Sequence, residues 1–274
     1  MKYLTLTSLA VLLSFGGMVD YGHAAGGGAH EAKEVDYSFE GPLGHFDKAQ
    51  LQRGYQVYRE VCSACHSMEL MYFRNLGEAG GPGFSEEQVK AIAAEYTVMD
   101  GPDSEGEMFE RPARPSDHFV SPFPNPQAAM SANGGAYPTD LSLITKARVG
   151  YHGTFKQLVE GVGGPEYVYS VLTGYEDAPE GKEGPDGKYY NPYFAAGPWI
   201  SMAAPLYDEA VEYADGTEAS VDQMAKDVSA FLAWSAEPKM VERKETGLRV
   251  MIFLIIFAGL LYASYKRLWR NIDH

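Results

Sequence analysis

Cys62-Ser63-Ala64-Cys65-His66 carries the most specific chemistry in this sequence. Two thiols separated by two residues and followed directly by a histidine match the C-x-x-C-H pattern of covalent haem attachment. In that reading Cys62 and Cys65 add to the two vinyl groups of one haem, giving haem c, and His66 is the proximal iron ligand. The chain has 2 cysteines, so the motif uses both. A thioredoxin-type redox pair needs a βαβ setting and a helix that starts at the first cysteine. Here the residues before Cys62 read as helix instead. A zinc site needs further ligands at a second cluster, and the sequence holds no second C-x-x-C and no H-x-x-x-H.

A six-coordinate, electron-carrying haem also needs a distal ligand, and a methionine there raises the potential. Met202 is the preferred candidate. It sits in Trp199–Leu206 (WISMAAPL), an apolar loop with small residues that can lie against a porphyrin. Pro198 and Pro205 limit the freedom of that loop before folding. Met68, Met71, Met99, Met108 and Met130 are alternatives; Met68 and Met71 lie close to His66, and Met99 and Met108 lie beside acidic loop. His118 and His152 are the fallback ligands.

Several elements must position these residues. Asp47 followed by Gln50 marks a helix start, and Leu51, Tyr55, Tyr58 and Cys62 recur at helical spacing. That helix delivers the haem motif at its C-terminal end. Gly54 in its middle costs about 1 kcal/mol relative to alanine; it is either a tolerated residue or the mark of another helix passing close. Ser85-Glu86-Glu87-Gln88 is a capping box that opens a helix to about Tyr96. Roughly the next forty residues read as loop, because Pro112, Pro115, Pro122, Pro124 and Pro126 exclude regular helix. Thr139 or Asp140 is expected to cap a short helix, Leu141–Val149, ended by Gly150. Another is expected from Pro165 or Glu166 to about Thr173, ended by Gly174. Gly174–Pro198 reads as loop. A last helix, Ser220 to Ser235, has an apolar face of Val221, Met224, Val228, Phe231, Leu232 and Trp234. No alternating strand pattern of useful length is present.

Met1–Ala24 reads as a secretory signal: Lys2, the apolar stretch Leu4 to Val19, then Gly22-His23-Ala24 as a small-x-small cleavage site, with the cut after Ala24 or Ala25. At the other end, Val250–Tyr265 with Leu248 gives about 18 residues, or roughly 27 Å of helix. Arg249 and Lys266 can reach the interfaces, and Tyr262, Tyr265 and Trp269 suit an interfacial belt. Charge does not orient the span, since Arg243, Lys244 and Arg249 precede it and Lys266, Arg267 and Arg270 follow it. The signal does: the N-terminal side is exported to a bacterial periplasm, and Lys266–His274 stays in the cytoplasm. The expected division is a signal peptide (1–24), an N-terminal segment (25–46), a periplasmic cytochrome c-type haem domain (47–240) and a membrane anchor (241–274) with its span at about 248–265.

The formal net charge is −15 and the isoelectric point about 4.9. Acid gathers at Asp100, Asp103, Glu105, Glu107 and Glu110, and again at Glu176, Asp177, Glu180, Glu183 and Asp186. Such runs are ordinarily solvated loops. Their sign disfavours nucleic acid and favours a basic protein partner.

Six blocks of the sequence, in this order, resemble the cytochrome c1 family, the haem c subunit of quinol–cytochrome c oxidoreductase (the bc1 complex), with an alphaproteobacterial look. They are Arg53–Tyr58 leading into Val61–His66, Asn133–Ser142 (NGGAYPTDLS), Tyr167–Tyr175 (YVYSVLTGY), Tyr189–Phe194 (YYNPYF), Trp199–Leu206, and Asp227–Pro238 (DVSAFLAWSAEP) before the span. The fold class expected is mainly α: a cytochrome c-like haem domain with long irregular loops and one C-terminal transmembrane helix. The resemblance implies thioethers at Cys62 and Cys65, His66 as proximal and Met202 as distal ligand. It implies that Asn133 and Pro138 line the haem, that Arg148 pairs with a haem propionate, and that Tyr167 stands at the same edge. Read without it, Arg148 is equally a surface charge at a helix end. It further implies one-electron transfer from the Rieske iron–sulfur protein to a cytochrome c, cytochrome b as a neighbour, and a dimeric complex in the bacterial cytoplasmic membrane. Such a subunit carries electrons without catalytic residues of its own. Some bacterial relatives carry an extra disulfide near the methionine loop. This chain has no cysteines for one, so packing alone is expected to hold the loop, through Tyr189, Tyr190, Tyr193 and Phe194. Gly134 stands where relatives often show a second asparagine. The alternatives are an anchored cytochrome c subunit of a terminal oxidase or dehydrogenase, and a haem sensor with an open sixth position.

Overall fold

A computed structural model describes residues 30–151, 156–157 and 161–271. The signal 1–24, Gly26–Gly28 and the fallback ligand His152 lie outside the described residues. In chain order the elements are α1 (Lys48–Glu60), 3-10 turns at Cys62–Ala64 and Phe73–Gly77, α2 (Glu86–Ala94), β1 (Thr97–Asp100), β2 (Phe109–Pro112), α3 (Pro126–Ala132), α4 (Ile144–Ala147), α5 (Gly164–Thr173), β3 (Tyr189–Tyr190), β4 (Trp199–Ile200), α6 (Val221–Ala236) and α7 (Met240–Trp269). The chain is mainly helical, as its periodicity predicts.

Local chemistry sets the ends of the main helices. Asp47 accepts hydrogen bonds from the N–H groups of Ala49 and Gln50, at 2.8 and 3.1 Å, and so caps α1. Ser85 accepts from Gln88 N and the Gln88 side chain accepts from Ser85 N, which completes the capping box of α2. Ser220 caps α6 by accepting from Gln223 N. Helices α1 and α6 form the largest interhelical contact. Leu51, Tyr55, Val57 and Tyr58 of α1 meet Phe231, Leu232 and Trp234 of α6 in one aromatic-rich core, joined by Phe73 and Phe119. At the crossing, Arg53 donates to the buried Asp227 at 2.8 Å and to Asp215 at 2.8 Å, and Gln223 donates to Asp227 at 2.9 Å. A buried carboxylate is tolerable only when its lone pairs are filled in this way.

Several expectations need correction. The stretch after α2 is not all loop. β1 and β2 pair antiparallel from Thr97↔Pro112 to Asp100↔Phe109, and α3 begins at Pro126. Asn125 caps α3 by accepting from Ala128 N at 2.9 Å. Proline is favoured at the first helical position, where its missing N–H has no partner to lose, so a residue read as excluding helix starts one. The helix expected at Leu141–Val149 is only Ile144–Ala147, because Arg148 is extended (φ −128, ψ 147). A second small hairpin, Tyr189↔Ile200 and Tyr190↔Trp199, sits where loop was expected. Strands of two to four residues are too short for alternation to register.

Residues 30–46 are part of the same core. Tyr37 stacks on Phe39, and Phe39 meets Phe46 at a tilt, with ring centroids 4.9 and 4.8 Å apart. Lys33 N donates to Ser170 Oγ at 2.8 Å and Lys33 Nζ to the Thr173 carbonyl at 3.0 Å, tying the segment to α5.

Helix α7 is 30 residues long, starts before the apolar run, and is long and apolar enough to cross a membrane. None of its apolar window is buried within the chain. Its first turns are tied to the globular part. Glu237 pairs with Arg243 and Lys146 at 2.5 and 3.2 Å, and Lys244 donates to the Phe39 carbonyl at 2.6 Å.

Candidate haem-binding site

Helix α1 ends at Glu60 and the chain tightens at once into the 3-10 turn Cys62–Ala64. The N–H groups of Cys65 and His66 both point back to the Cys62 carbonyl, at 3.1 and 2.9 Å. Both thiols and the imidazole are therefore held in one compact turn. Neither cysteine is in a disulfide; Cys62 is half-buried and Cys65 exposed. Burial pushes the Cys62 thiol up to about 12, and the neighbouring Cys65 adds to the shift. A redox dithiol of the thioredoxin kind needs the opposite shift and a helix beginning at the first cysteine. Both thiols here lie past a helix's C-terminal end.

The His66 imidazole Nδ1 lies 2.7 Å from the Thr139 carbonyl oxygen. A carbonyl can only accept, so Nδ1 carries the proton and Nε2 presents its lone pair. Such a second bond is how proteins fix the tautomer of a ligating histidine. Burial holds the His66 pKa below its ordinary value, while the Thr139 carbonyl and Asp140 pull the other way. The neutral form is the one that ligates iron. Asp140 closes the arrangement: its carboxylate accepts from Ser67 Oγ, Glu69 N and Ser142 N, at 2.8, 2.8 and 2.9 Å. Burial opposes its charge, yet these hydrogen bonds hold its pKa below the usual carboxylate value.

Beside the motif is a cleft of about 370 Å³ lined by Cys65, Ser67, Tyr137, Pro138, Ala129 and the proline-rich run Ser121–Pro126. Cys65 and Pro138, picked out separately in the sequence, thus share a wall. Asn133 ends α3 and turns its side chain back on the Ala129 carbonyl at 2.7 Å. The two glycines after it have φ of +60° and +88°. Glycine and asparagine are the residues that enter that region readily, so a glycine at 134 suits the backbone there.

Arg148 is half-buried and donates to the Ala147 carbonyl at 2.9 Å. No carboxylate among the described residues pairs with it. Tyr167 is buried in α5, and its hydroxyl accepts from Ala195 N at 3.3 Å. Met202 lies two residues beyond β4, half-buried against the hydrophobic core. The alternatives fare differently. Met68 and Met71 are consumed by the core, at 0% and 4% exposure, and Met99 and Met108 stand in water at 59% and 56%. Met130 is half-buried on α3. The exposed His118 lies against Tyr72 with ring centroids 3.8 Å apart and the rings tilted by 35°.

The methionine loop is not held by packing alone. Tyr175 Oη donates to the Met202 carbonyl at 3.1 Å. Asn191, wholly buried, donates to the Val171 carbonyl at 2.7 Å, accepts from Tyr193 N at 3.1 Å, and its own N–H bonds the Pro198 carbonyl at 2.8 Å. Of the four aromatic residues expected to hold the loop, Tyr193 and Phe194 do pack on the core, Tyr190 meets Trp199 edge-on, and Tyr189 is exposed. The roles of Asp140, Tyr175 and Asn191 are absent from the sequence reading. Asp140 had a local signal only as a helix cap, and Tyr175 and Asn191 had none beyond lying in Tyr167–Tyr175 and Tyr189–Phe194.

The donor set fits a covalently held haem: two thiols outside any disulfide, an imidazole whose Nδ1 is committed to Thr139, a cleft alongside, and, at Arg148, a guanidinium with no carboxylate partner among the described residues. Known proteins agree. The Cytochrome C1 family model matches residues 37–272. Cytochrome c1 of Cereibacter sphaeroides is 46% identical over 99% of this chain and 96% of its own length. That of Rhodospirillum rubrum is 42% identical over 98% of this chain and 97% of its own. Cytochrome b/c1 of Bradyrhizobium diazoefficiens is 49% identical over 97% of this chain, which spans 40% of that longer protein. A family match over most of the chain, with full-length similarity to two bacterial relatives, means that the chain belongs to the cytochrome c1 family.

Proposed function

We propose that this chain receives single electrons from a Rieske iron–sulfur protein and passes them to a cytochrome c, as the haem-bearing subunit of a quinol–cytochrome c oxidoreductase that also holds cytochrome b. Membership of the cytochrome c1 family makes it an electron-transfer subunit with covalent haem c. Haem c supplies the one-electron couple. The chain's own residues do the rest. Cys62 and Cys65 would supply the thioether sulfurs, His66 Nε2 and Met202 Sδ would hold the iron, Arg148 would offer a cation to a propionate, and Asn133, Pro138 and Tyr167 would form the walls. The observation that carries this reading is the His66–Thr139 hydrogen bond of 2.7 Å beside two unpaired thiols, which leaves one ring nitrogen free to ligate.

The apolar α7 and the signal-like 1–24 support a topology with signal 1–24 removed, haem domain 47–240 in the periplasm preceded by the segment 25–46, and α7 crossing the inner membrane once with a cytoplasmic C-terminus. The complex is dimeric.

Purification in mild detergent followed by subunit identification tests the reading. Cytochrome b and a Rieske protein should accompany the chain; a copper oxidase or a dehydrogenase in their place would assign it to an anchored cytochrome c of another complex. Met202→Leu should lower the midpoint potential by on the order of hundreds of millivolts and stop turnover. An unchanged potential removes Met202 as ligand. A reduced haem that binds carbon monoxide readily would instead mark a sensor.

A further inference from the structure

The chain leaving His66 is stitched to the segment 139–142, which begins 73 residues on. His66 Nδ1 donates to the Thr139 carbonyl at 2.7 Å, Leu141 N to the Ser67 carbonyl at 2.8 Å, and Leu70 N to Ser142 Oγ at 3.1 Å. Asp140 sits inside this seam and fills both carboxylate oxygens from it. Oδ2 takes Ser67 Oγ and Glu69 N, each at 2.8 Å, and Oδ1 takes Ser142 N at 2.9 Å. The carbonyl that holds the imidazole belongs to the peptide bond immediately before Asp140. That carbonyl can turn only if the Asp140 backbone turns with it, and the three side-chain bonds oppose this.

We infer that Asp140 is a positioning residue for the proximal imidazole: by locking the Thr139–Asp140 peptide against Ser67 and Glu69 it fixes the rotation of the His66 ring about its Cβ–Cγ bond. This rests on His66 being the proximal ligand. An acceptor with two oxygens at this reach is required. Asparagine would turn an NH2 group toward an N–H or O–H donor, and glutamate would place its oxygens one methylene too far. Both substitutions should therefore disturb the ring, although only the first removes the charge.

The low-spin ferric electron paramagnetic resonance signal reports this directly, because its g anisotropy follows the angle of the imidazole plane over the haem. Asp140→Asn and Asp140→Glu, read in the intact membrane-bound protein, should both shift the largest g value. Ser67→Ala, which removes one hydrogen bond and no charge, should shift it in the same direction by less. A wild-type g value in either Asp140 variant overturns the inference; a shift in Asp140→Asn alone would mean that Asp140 acts through its charge. If the Asp140 variants fail to retain haem, Ser67→Ala decides: a shifted g supports the inference and an unchanged one overturns it. His66→Ala separates this from the ligation itself. A low-spin signal that survives in His66→Ala defeats the site reading. Its loss there, with normal g values in the Asp140 and Ser67 variants, defeats only the inference.

Discussion

Gly54 of α1 lies directly against the backbone of Asp227 in α6. A Cβ on Gly54 would meet the Asp227 carbonyl oxygen at 2.1 Å and the Phe231 Cβ at 2.7 Å. Close helix approach, rather than tolerance, accounts for this glycine. Gly54→Ala should gain about 1 kcal/mol of helix propensity and still destabilise the protein, because overpacking a crossing costs about 1–3 kcal/mol or more. Helix α1 feeds straight into Cys62–His66, so the covalent haem yield should fall as well. Thermal unfolding and haem-stained yield test this, and an unchanged melting temperature refutes it.

Asn191 stands behind the methionine loop. Asn191→Leu would strand the Val171 carbonyl and the Tyr193 N–H, now bonded at 2.7 and 3.1 Å. The buried Val171 carbonyl, once orphaned, costs about 1–3 kcal/mol, and the part-buried Tyr193 N–H loses its partner as well. The damage falls on the hairpin that leads into Met202, so the ferrous haem of the variant should bind carbon monoxide where the parent does so poorly. Difference spectra with and without carbon monoxide decide the point; equal spectra would show that Asn191 does not brace the ligand.

Arg148 has a distinct expected signature. A cation beside a propionate favours the reduced haem, which carries one less positive charge. Arg148→Gln should therefore lower the midpoint potential and leave His66 and Met202 ligation intact. A redox titration with the potential unmoved would return Arg148 to the surface charges.

The acidic clusters divide. Asp100 and Asp117 both engage Arg111, and Asp103 accepts from the N–H groups of Glu105 and Glu107 at 2.8 and 3.0 Å, so these three carboxylates shape the hairpin. Glu105, Glu107 and Glu110 are exposed and free to meet a basic cytochrome. Neutralising these three as glutamines should raise the acceptor's apparent KM at low salt and flatten its dependence on ionic strength. Unaltered salt dependence would place docking elsewhere.

Acid should loosen the α1–α6 crossing from its rim. Hydrogen bonds from the Thr217 N–H and hydroxyl, then from Arg53, hold the Asp215 carboxyl at about 2, below its ordinary 3.8. A carboxyl depressed in the folded state stabilises above its unfolded pKa and loses that contribution as pH falls through the folded one. The loss should fall between about pH 3.8 and 2, and Asp215→Asn should remove it. Circular dichroism across an acid titration checks this; identical acid limbs for parent and variant would sink it.

Local signals were legible at full strength. Asp47, Ser85 and Ser220 announced α1, α2 and α6 because an N-cap acts over two or three residues. Pro126 misled for the same local reason: proline stops a helix from inside and starts one at its first position, and only the Asn125 cap distinguishes the two. The hairpins escaped because their strands are too short to alternate.

The sequence by itself determined the C-x-x-C-H arrangement of Cys62–His66, the apolar run of α7 and the main helices that flank the site, since each is written in neighbours along the chain. Only the tertiary structure decided that Thr139 holds His66, that Asn191 and Tyr175 brace the Met202 loop, and that Gly54 is bare to admit Asp227. His66 and Thr139 are 73 residues apart, Tyr175 and Met202 27, Asn191 and the Val171 it bonds 20, and Gly54 and Asp227 173, and no periodicity or cap reaches that far. Burial brings them together, and a buried polar group must then find the partner the fold supplies.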